Sequence, residues 1–220
     1  YTDVPGVFTA DPRIVPEARK LHAVSYEEML ELAASGAKVL QLRSVEYART
    51  HAVKVHVRSS FTDEAGTWIT EEDVRMEQAI ISGVAADDSE AKITIEDVPD
   101  QPGIVAAIFR AVADEGAGVD MIVQNAARGG RADVSFLVPK GDLSRIAAVV
   151  ERVVKEVGGS GHTVDDGIAL AREEINIEMI STSSIRISCV VRAADADRAV
   201  RAVHGRFDLG GDGGGAREHA

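Results

Sequence analysis

Apolar and polar positions along the chain follow two different periods, and the switches between them mark its elements. In "SYEEMLELAASGAKVL" the residues Met29, Leu32 and Ala33 form one apolar stripe at helical spacing. Ser25 followed by Glu27 and Glu28 gives that helix a start, and Gly36 gives it a stop. "RSVEYARTH" predicts a second helix. "VKVHVRSSF" sets Val53, Val55 and Val57 against Lys54, His56 and Arg58, the period of a half-buried strand. "TDEAGTWIT" predicts a turn and a short strand, with Trp68 in the core. The polar run "EEDVRMEQ" marks a boundary at 71–78, and "AIISGVAADDSEAKITIEDV" predicts two short strands around the turn Asp87, Asp88, Ser89 and Glu90. In "DVPDQPGIVAAIFRAVADEG", Pro102 and Gly103 precede an amphipathic helix carrying Val105, Ile108, Phe109 and Val112, and Gly116 and Gly118 end it.

The same pattern then repeats. "VDMIV" at 119–123 matches "IEMIS" at 177–181 with an offset of 58, and "VSFLVPKGDLSRIAAVV" matches "ISCVVRAADADRAVRAV" with an offset of 53. The two offsets differ because the first copy has a longer hairpin turn, "AARGG". Each copy reads strand, turn, strand, polar loop, helix. With "AKITIEDV", the DQPG helix, a helix over 143–157 and "HTVDDGIAL" as a last strand, the first copy has the order βαββαβ. That order predicts a four-stranded antiparallel sheet with both helices on one face. The second copy is short: between Gly159 and Asn176 the last strand of the first copy plus a new strand, a PG loop and a three-turn helix cannot fit, so either the second module is incomplete or, the reading favoured, about 20 residues near Leu170 are missing.

Composition narrows the class. The chain has 220 residues, 45% hydrophobic and 27% charged, and a formal charge of −12. It is large enough for two or three compact units, while the acidic balance without any cluster of Lys and Arg speaks against nucleic acid or an anionic membrane as partner. One cysteine, Cys189, suits a reducing compartment and an inert buried thiol, so a cytoplasmic protein is expected. The six histidines have no ligand spacing, and no metal site is expected. Asp165 and Asp166 read as an exposed turn, and "GGDGGGAREHA" as a flexible tail. The start at Tyr1, inside a loop-like run, reads as a truncation.

Two stretches could hold ligands. "YTDVPGVFTADPR" is rich in turn formers and places Asp3, Asp11 and Arg13 around a loop that could bring amides to an anion; it has neither P-loop nor dinucleotide spacing, so a plain solvated loop stays open. In the βαββαβ module, the loop ahead of the first helix faces the start of the second strand. Its helix N-terminus suits a carboxylate, while Asp100, Gln124 and Asn125 suit an ammonium or polar group. In copy two "STSS" offers hydroxyls at the position of Gln124 and Asn125, and plain turn chemistry again remains open.

"YTDVPGVFTADPRIVPEARKL", "SYEEMLELAASGAKVL", "VEYAR", "VHVRSS" and "INIEMISTSSIRIS" together resemble the carboxyl-terminal half of aspartokinases, and the repeat resembles their paired ACT domains. The resemblance implies an α/β fold with α+β modules: the end of an amino-acid-kinase domain over 1–72, a first ferredoxin-like ACT domain over 91–161, and a second built from 76–90 with 162–220. It implies an enzyme that phosphorylates L-aspartate with ATP and Mg2+, and it puts Thr2, Asp3, Phe8, Thr9, Ala10, Asp11, Pro12, Arg13 and Lys38 at the nucleotide. It implies lysine, threonine or both as effectors at interfaces between modules of two chains, in a homo-oligomer or an α/β subunit assembly. The effector positions would be Asp100, Pro102, Gly103, Val105, Gly118, Val119, Asp120, Gln124 and Asn125, with Asn176, Ile177, Thr182 and Ser183 from copy two. It also implies that "AIISGVA" joins the sheet of the second module. Gly118 stands where relatives often have Asn, and Ser184 where they often have Glu. The amino-terminal motifs are absent, so this segment alone is expected to be inactive. The alternative is a noncatalytic regulatory subunit starting at Met76; an amino-acid-binding transcription regulator lacks a basic helix-turn-helix.

Overall fold

A computed structural model describes residues 2–71, 82–125, 129–170, 177–182 and 186–211. The connector expected at 71–78 lies almost wholly outside them, as do Asn176, Ser183, Ser184 and the tail beyond Gly211. The chain divides into two compact units, one from within Tyr1–Asp87, Leu170–Val191 and Asp195–Ala220, the other Asp88–Ala169 with Arg192–Ala194.

The first unit opens with β1 (Ala23–Ser25) and α1 (Tyr26–Ala34). Ser25 caps α1 in a full capping box: its hydroxyl accepts from Glu28 N–H, and the Glu28 carboxylate accepts from Ser25 N–H at 2.9 Å. α2 (Leu42–Thr50), β2 (Val55–Val57) and β3 (Thr67–Thr70) follow, and the three strands form a sheet of order β1-β3-β2, with β1 parallel and β2 antiparallel to β3. Val24, Met29, Val45, Ala48, Val57 and Ile69 make its core. Two expectations fail here. The alternating strand is confined to β2, because Val53 lies half exposed beyond it, and Trp68 is 46% exposed rather than buried. Ile69 takes the inward position, so the pleat turns Trp68 outward, where it stacks on the cross-strand His56 at 3.8 Å.

The second unit contains β4 (Glu90–Pro99), α3 (Ile104–Asp114), β5 (Asp120–Gln124), β6 (Arg131–Pro139), α4 (Leu143–Val157) and β7 (Gly161–Asp165). Its sheet has order β5-β6-β4-β7 with every pairing antiparallel, as the βαββαβ pattern predicts. On β4, Ala91, Ile93 and Ile95 alternate inward, and on α4 Ile146, Val149, Val150, Val153, Val154 and Val157 keep helical spacing, so the two faces close on Phe136. α3 adds only two fully buried residues, Ile108 and Val112, while Phe109 meets Phe136 edge to face at 5.1 Å.

The stretch expected as one strand over 162–170 is two: β7 pairs with β4, and β8 (Ile168–Leu170) belongs to a separate sheet of order β8-β10-β9, with β9 Met179–Thr182 and β10 Ile187–Arg192. Asp165 Oδ1 accepts from Gly167 N–H at 3.0 Å, a local turn that breaks the run between them. α5 (Ala196–Arg206) completes the repeat. Its register repeats as well: Gln124↔Val134 and Val123↔Ser135 become Thr182↔Ile187 and Ser181↔Ser188. The 3-10 turns Lys140–Asp142 and Ala193–Asp195 fall at the same offset. β8 ends at Leu170 and β9 begins at Met179, an interval too short for the 11 residues of α3. The strand expected within 79–85 is not seen among the described residues 82–88. There Val84 N–H donates to Thr9 C=O at 2.8 Å, and Val84 and Ala86 pack with Val191, Ala199 and Val200 of β10 and α5.

Candidate nucleotide loop and effector site

In the first unit the run Phe8–Arg13 is a loop folded back on itself. Phe8 bridges to Lys20, Thr9 N–H donates to Arg19 C=O at 2.9 Å, and Asp11 C=O accepts from Ile14 and Val15 N–H. Thr2 bridges to Ser59, while Asp3, Pro12, Arg13 and Lys38 are exposed. Asp11 holds Arg13 bidentately: Nε donates to Oδ1 at 3.0 Å and Nη2 to Oδ2 at 2.6 Å, while Arg13 N–H also reaches Oδ1. The hydrogen bond from Arg13 keeps the Asp11 carboxyl below its ordinary range, so the pair stays ionised and fixes a planar guanidinium fork at the loop's outer face. Asp11 takes the Nε–Nη2 edge, which leaves the outer Nη1–Nη2 edge to meet an anionic oxygen such as one of a phosphate.

Thr9 and Ala10 point the other way. Thr9 is 1% exposed and Ala10 3%, and Ala10 joins Val15 in the core built with Val191, Ala199 and Val200. The Thr9 hydroxyl accepts from Arg19 N–H at 2.9 Å and lies 2.9 Å from His204 Nε2 of α5. Since that oxygen already accepts one proton, its own can go to Nε2 of a neutral imidazole. Burial pushes the His204 pKa down, with Glu17 pulling weakly upward, which agrees with the neutral form. Composition and spacing carried no signal for His204, because a histidine in an amphipathic helix reads as a surface residue.

In the second unit, β4 and the turn before α3 place Asp100 where its Oδ1 accepts from Gln124 Nε2 at 3.1 Å, so the two residues singled out from sequence do meet. Asp100 N–H donates to Gly130 C=O, and Asn125 N–H to Asp133 C=O, fixing the ends of both strands. Gly103 caps α3 at φ 92° with no side-chain cap bond, and added Cβ atoms at Gly103 or Gly118 would meet nothing within 4 Å. Open space therefore lies at both loops flanking the Asp100–Gln124 pair. Pro102 is exposed, Val105 and Val119 are partly buried against the core, and Asp120 turns its carboxylate onto Met121 N–H at 2.8 Å. β5 bulges between Asp120 and Val123 and ends the sheet with Ile122 exposed. From copy two, Ile177 and Thr182 are exposed, Thr182 at the end of β9. An apolar groove at the β7 edge of this unit's sheet, lined by Ile93, Leu143, Ile146, Val150, His162 and Val164, offers no charge pair for an amino acid. Among the described residues no three His, Cys, Asp or Glu converge on a metal position, and no helix is long and apolar enough to cross a membrane.

Fold and site thus define the edge of an amino-acid kinase domain joined to two ACT-type modules. Residues 1–59 match the amino acid kinase family, and 93–158 and 168–207 match two ACT domain models. An aspartokinase of Mycolicibacterium smegmatis is 46% identical over 238 residues, 96% of this chain and 56% of its own length. The regulatory subunit of aspartate kinase from Thermus thermophilus is 34% identical over 56% of this chain and 95% of its own, with a TM-score of 0.52. E. coli aspartokinase III, in complex with lysine and aspartate, shares the fold at a TM-score of 0.71 and 23% identity over 94% of this chain and 51% of that one. The chain belongs to the aspartokinase family, and it spans about half the length of the full aspartokinases it matches. The alignment with the M. smegmatis protein runs over 238 residues against the 220 of this chain, so that relative carries residues with no counterpart here.

Proposed function

We propose that the chain is the nucleotide-binding edge and regulatory half of an aspartokinase, which transfers the γ-phosphoryl group of ATP to the β-carboxylate of L-aspartate and is inhibited by lysine, threonine or both. Thr2, Asp3, Phe8, Asp11, Pro12, Arg13 and Lys38, with the backbone at Thr9 and Ala10, approach the nucleotide, whose Mg2+ arrives with it. Arg13, held by Asp11, stabilises phosphate charge, and positioning of this kind is most of what phosphoryl transfer needs from a protein. The aspartate site lies elsewhere in the enzyme.

The effector occupies the loops around Asp100, Pro102, Gly103, Val105, Gly118, Val119, Asp120, Gln124 and Asn125, its carboxylate at the N-terminus of α3 and its ammonium at Asp100. The exposed edge of β5 then meets a module of another chain, and Ile177 and Thr182, with Asn176 and Ser183, serve the second module. The observation that carries this reading is the open space at Gly103 and Gly118 beside the Asp100–Gln124 pair. Binding there favours one arrangement by its differential affinity and shifts the population toward inhibition. Millimolar lysine or threonine should raise the melting temperature, and Asp100→Ala should abolish the rise; an unchanged melting temperature with both amino acids overturns the effector site. The match to a separate regulatory subunit favours one further reading, a noncatalytic chain. Intact mass of the polypeptide decides it, since such a subunit starts near Met76 and lacks the 1–59 segment.

A further inference from the structure

Thr9 is held from three sides. Its N–H and hydroxyl close on Arg19, its C=O accepts from Val84 N–H at 2.8 Å, and its hydroxyl lies 2.9 Å from His204 Nε2. Gly83 passes so near that an added Cβ would stand 3.1 Å from the Thr9 oxygen. The partners come from separate parts of the chain: Arg19 from the loop's own return, Val84 from the stretch that leads into the first repeat, His204 from the last helix of the second. Around this polar knot, Ala10 and Val15 on one side and Val84, Val191, Ala199 and Val200 on the other make one apolar core.

We infer that Thr9 and His204 form a positioning pair through which the last helix of the second module sets the conformation of the Phe8–Arg13 loop. The inference rests on the proposed place of that loop at the nucleotide. The buried hydroxyl and the buried imidazole need each other, because without His204 the Thr9 O–H has no acceptor, its oxygen keeping only the bond from Arg19 N–H, and without Thr9 the His204 Nε2 loses its hydrogen bond. Any shift of α5 therefore moves Thr9 or breaks the bond, and Arg13 lies only four residues further along the same loop. Arg201, one turn earlier on α5, donates from Nη1 to Ile14 C=O at 3.4 Å, so the helix holds the far end of the loop too. The geometry makes α5 and the loop one body, and a ligand that biases one biases the other.

The test uses the full-length enzyme with Thr9→Val, Thr9→Ser, His204→Leu, His204→Gln and the Thr9→Val/His204→Leu double variant. Amide exchange of residues 8–13, measured without nucleotide, should speed by tenfold or more in Thr9→Val and His204→Leu, and stay near the parent in Thr9→Ser and His204→Gln. The same two disruptive variants should raise KM for ATP at least fivefold, leave KM for aspartate within twofold, and weaken effector inhibition at least fivefold while effector Kd stays within twofold. The double variant should match the worse single one, as a coupled pair requires. Unchanged exchange at 8–13, additive double-variant effects, or failure of Thr9→Ser and His204→Gln to restore the parent behaviour overturns the pair. Faster exchange with an unchanged KM for ATP upholds the pair and overturns the placement of the nucleotide at this loop.

Discussion

α3 is attached to its sheet by few side chains, and Ile108→Ala measures how much its position depends on them. Ile108 is fully buried against β4, β6 and α4, and the substitution removes three carbon atoms from that core. At about 0.8 kcal/mol per methylene the lost transfer energy is roughly 2.4 kcal/mol. The cavity left in that core brings the total to about 3–4 kcal/mol, within the usual range for such truncations. Because Val112 is the only other fully buried residue on α3, most of that loss falls on the docking of this helix. Phe109→Leu removes the edge-to-face contact with Phe136 and keeps most of the volume, so it should cost about 1 kcal/mol. Hydrogen exchange resolved by segment reads both. In Ile108→Ala, amides of α3 should open on the order of a hundredfold more often, at about 1.4 kcal/mol per decade, while those of α4 change less. Affinity for lysine or threonine should fall with α3, whose N-terminus Gly103 caps. Equal loss of protection across α3 and α4, or a larger effect from Phe109→Leu, would refute the view that α3 is held mainly by Ile108.

Three further outcomes follow from the same geometry. Burial keeps the His204 pKa below its ordinary value of 6.5, so the folded chain takes up a proton less readily than the unfolded one. The stability tied to His204 is complete above about pH 6.5 and falls as pH drops toward the folded pKa; denaturation midpoints from about pH 7 to about pH 5 should flatten in His204→Gln relative to the parent. At Gly66 an added Cβ would overlap the Val57 carbonyl oxygen, whereas at Gly103 only the φ of 92° opposes it. Gly66→Ala should therefore lower stability by about 3 kcal/mol or more by prying β2 from β3, and Gly103→Ala by about 1–2 kcal/mol, as denaturant titrations of each would rank. Ser25→Ala removes one half of a capping box and should cost about 1 kcal/mol by the same titration, with Ser25→Asp closer to the parent.

How far the sequence could be read depended on whether a local signal had to compete with tertiary context. The capping box at Ser25 and Glu28, the helix over 143–157 and the repeat with its two offsets are local patterns, and each appears in the structure at its expected place. Trp68 could not be placed from its type: Ile69 and Trp68 lie on opposite faces of one short strand, and only the sheet decides which face is inside. The run over 162–170 carried a continuous strand pattern, yet a two-residue turn divides it between two sheets, a distinction that rests on the hydrogen bond from Gly167 N–H to Asp165. Of the candidate site, the meeting of Asp100 with Gln124 followed from topology alone. The inward turn of Thr9 and Ala10 did not, because a loop rich in Asp, Pro and Gly gives no periodic cue to which side is covered.

The way that loop is covered bears on how the second module packs. In the first module the sheet's apolar face is closed by two helices, with Ile108 and Val112 of α3 and the valine face of α4 both contributing. The second module has α5 at the place of α4. Ala10, Val15 and Ile14 from the loop, with Val84 and Ala86, meet Val191, Ala199 and Val200, so part of the second module's core is made of residues from the kinase-like segment. Two consequences are tied together by this arrangement. The second module cannot loosen without disturbing the loop that carries Arg13, and the loop cannot rearrange without a response in β10 and α5. A shared core of small side chains transmits displacement because it is close-packed, and the polar contact of Thr9 with His204 lies beside it, so movement of α5 and movement of the loop are felt at the same place.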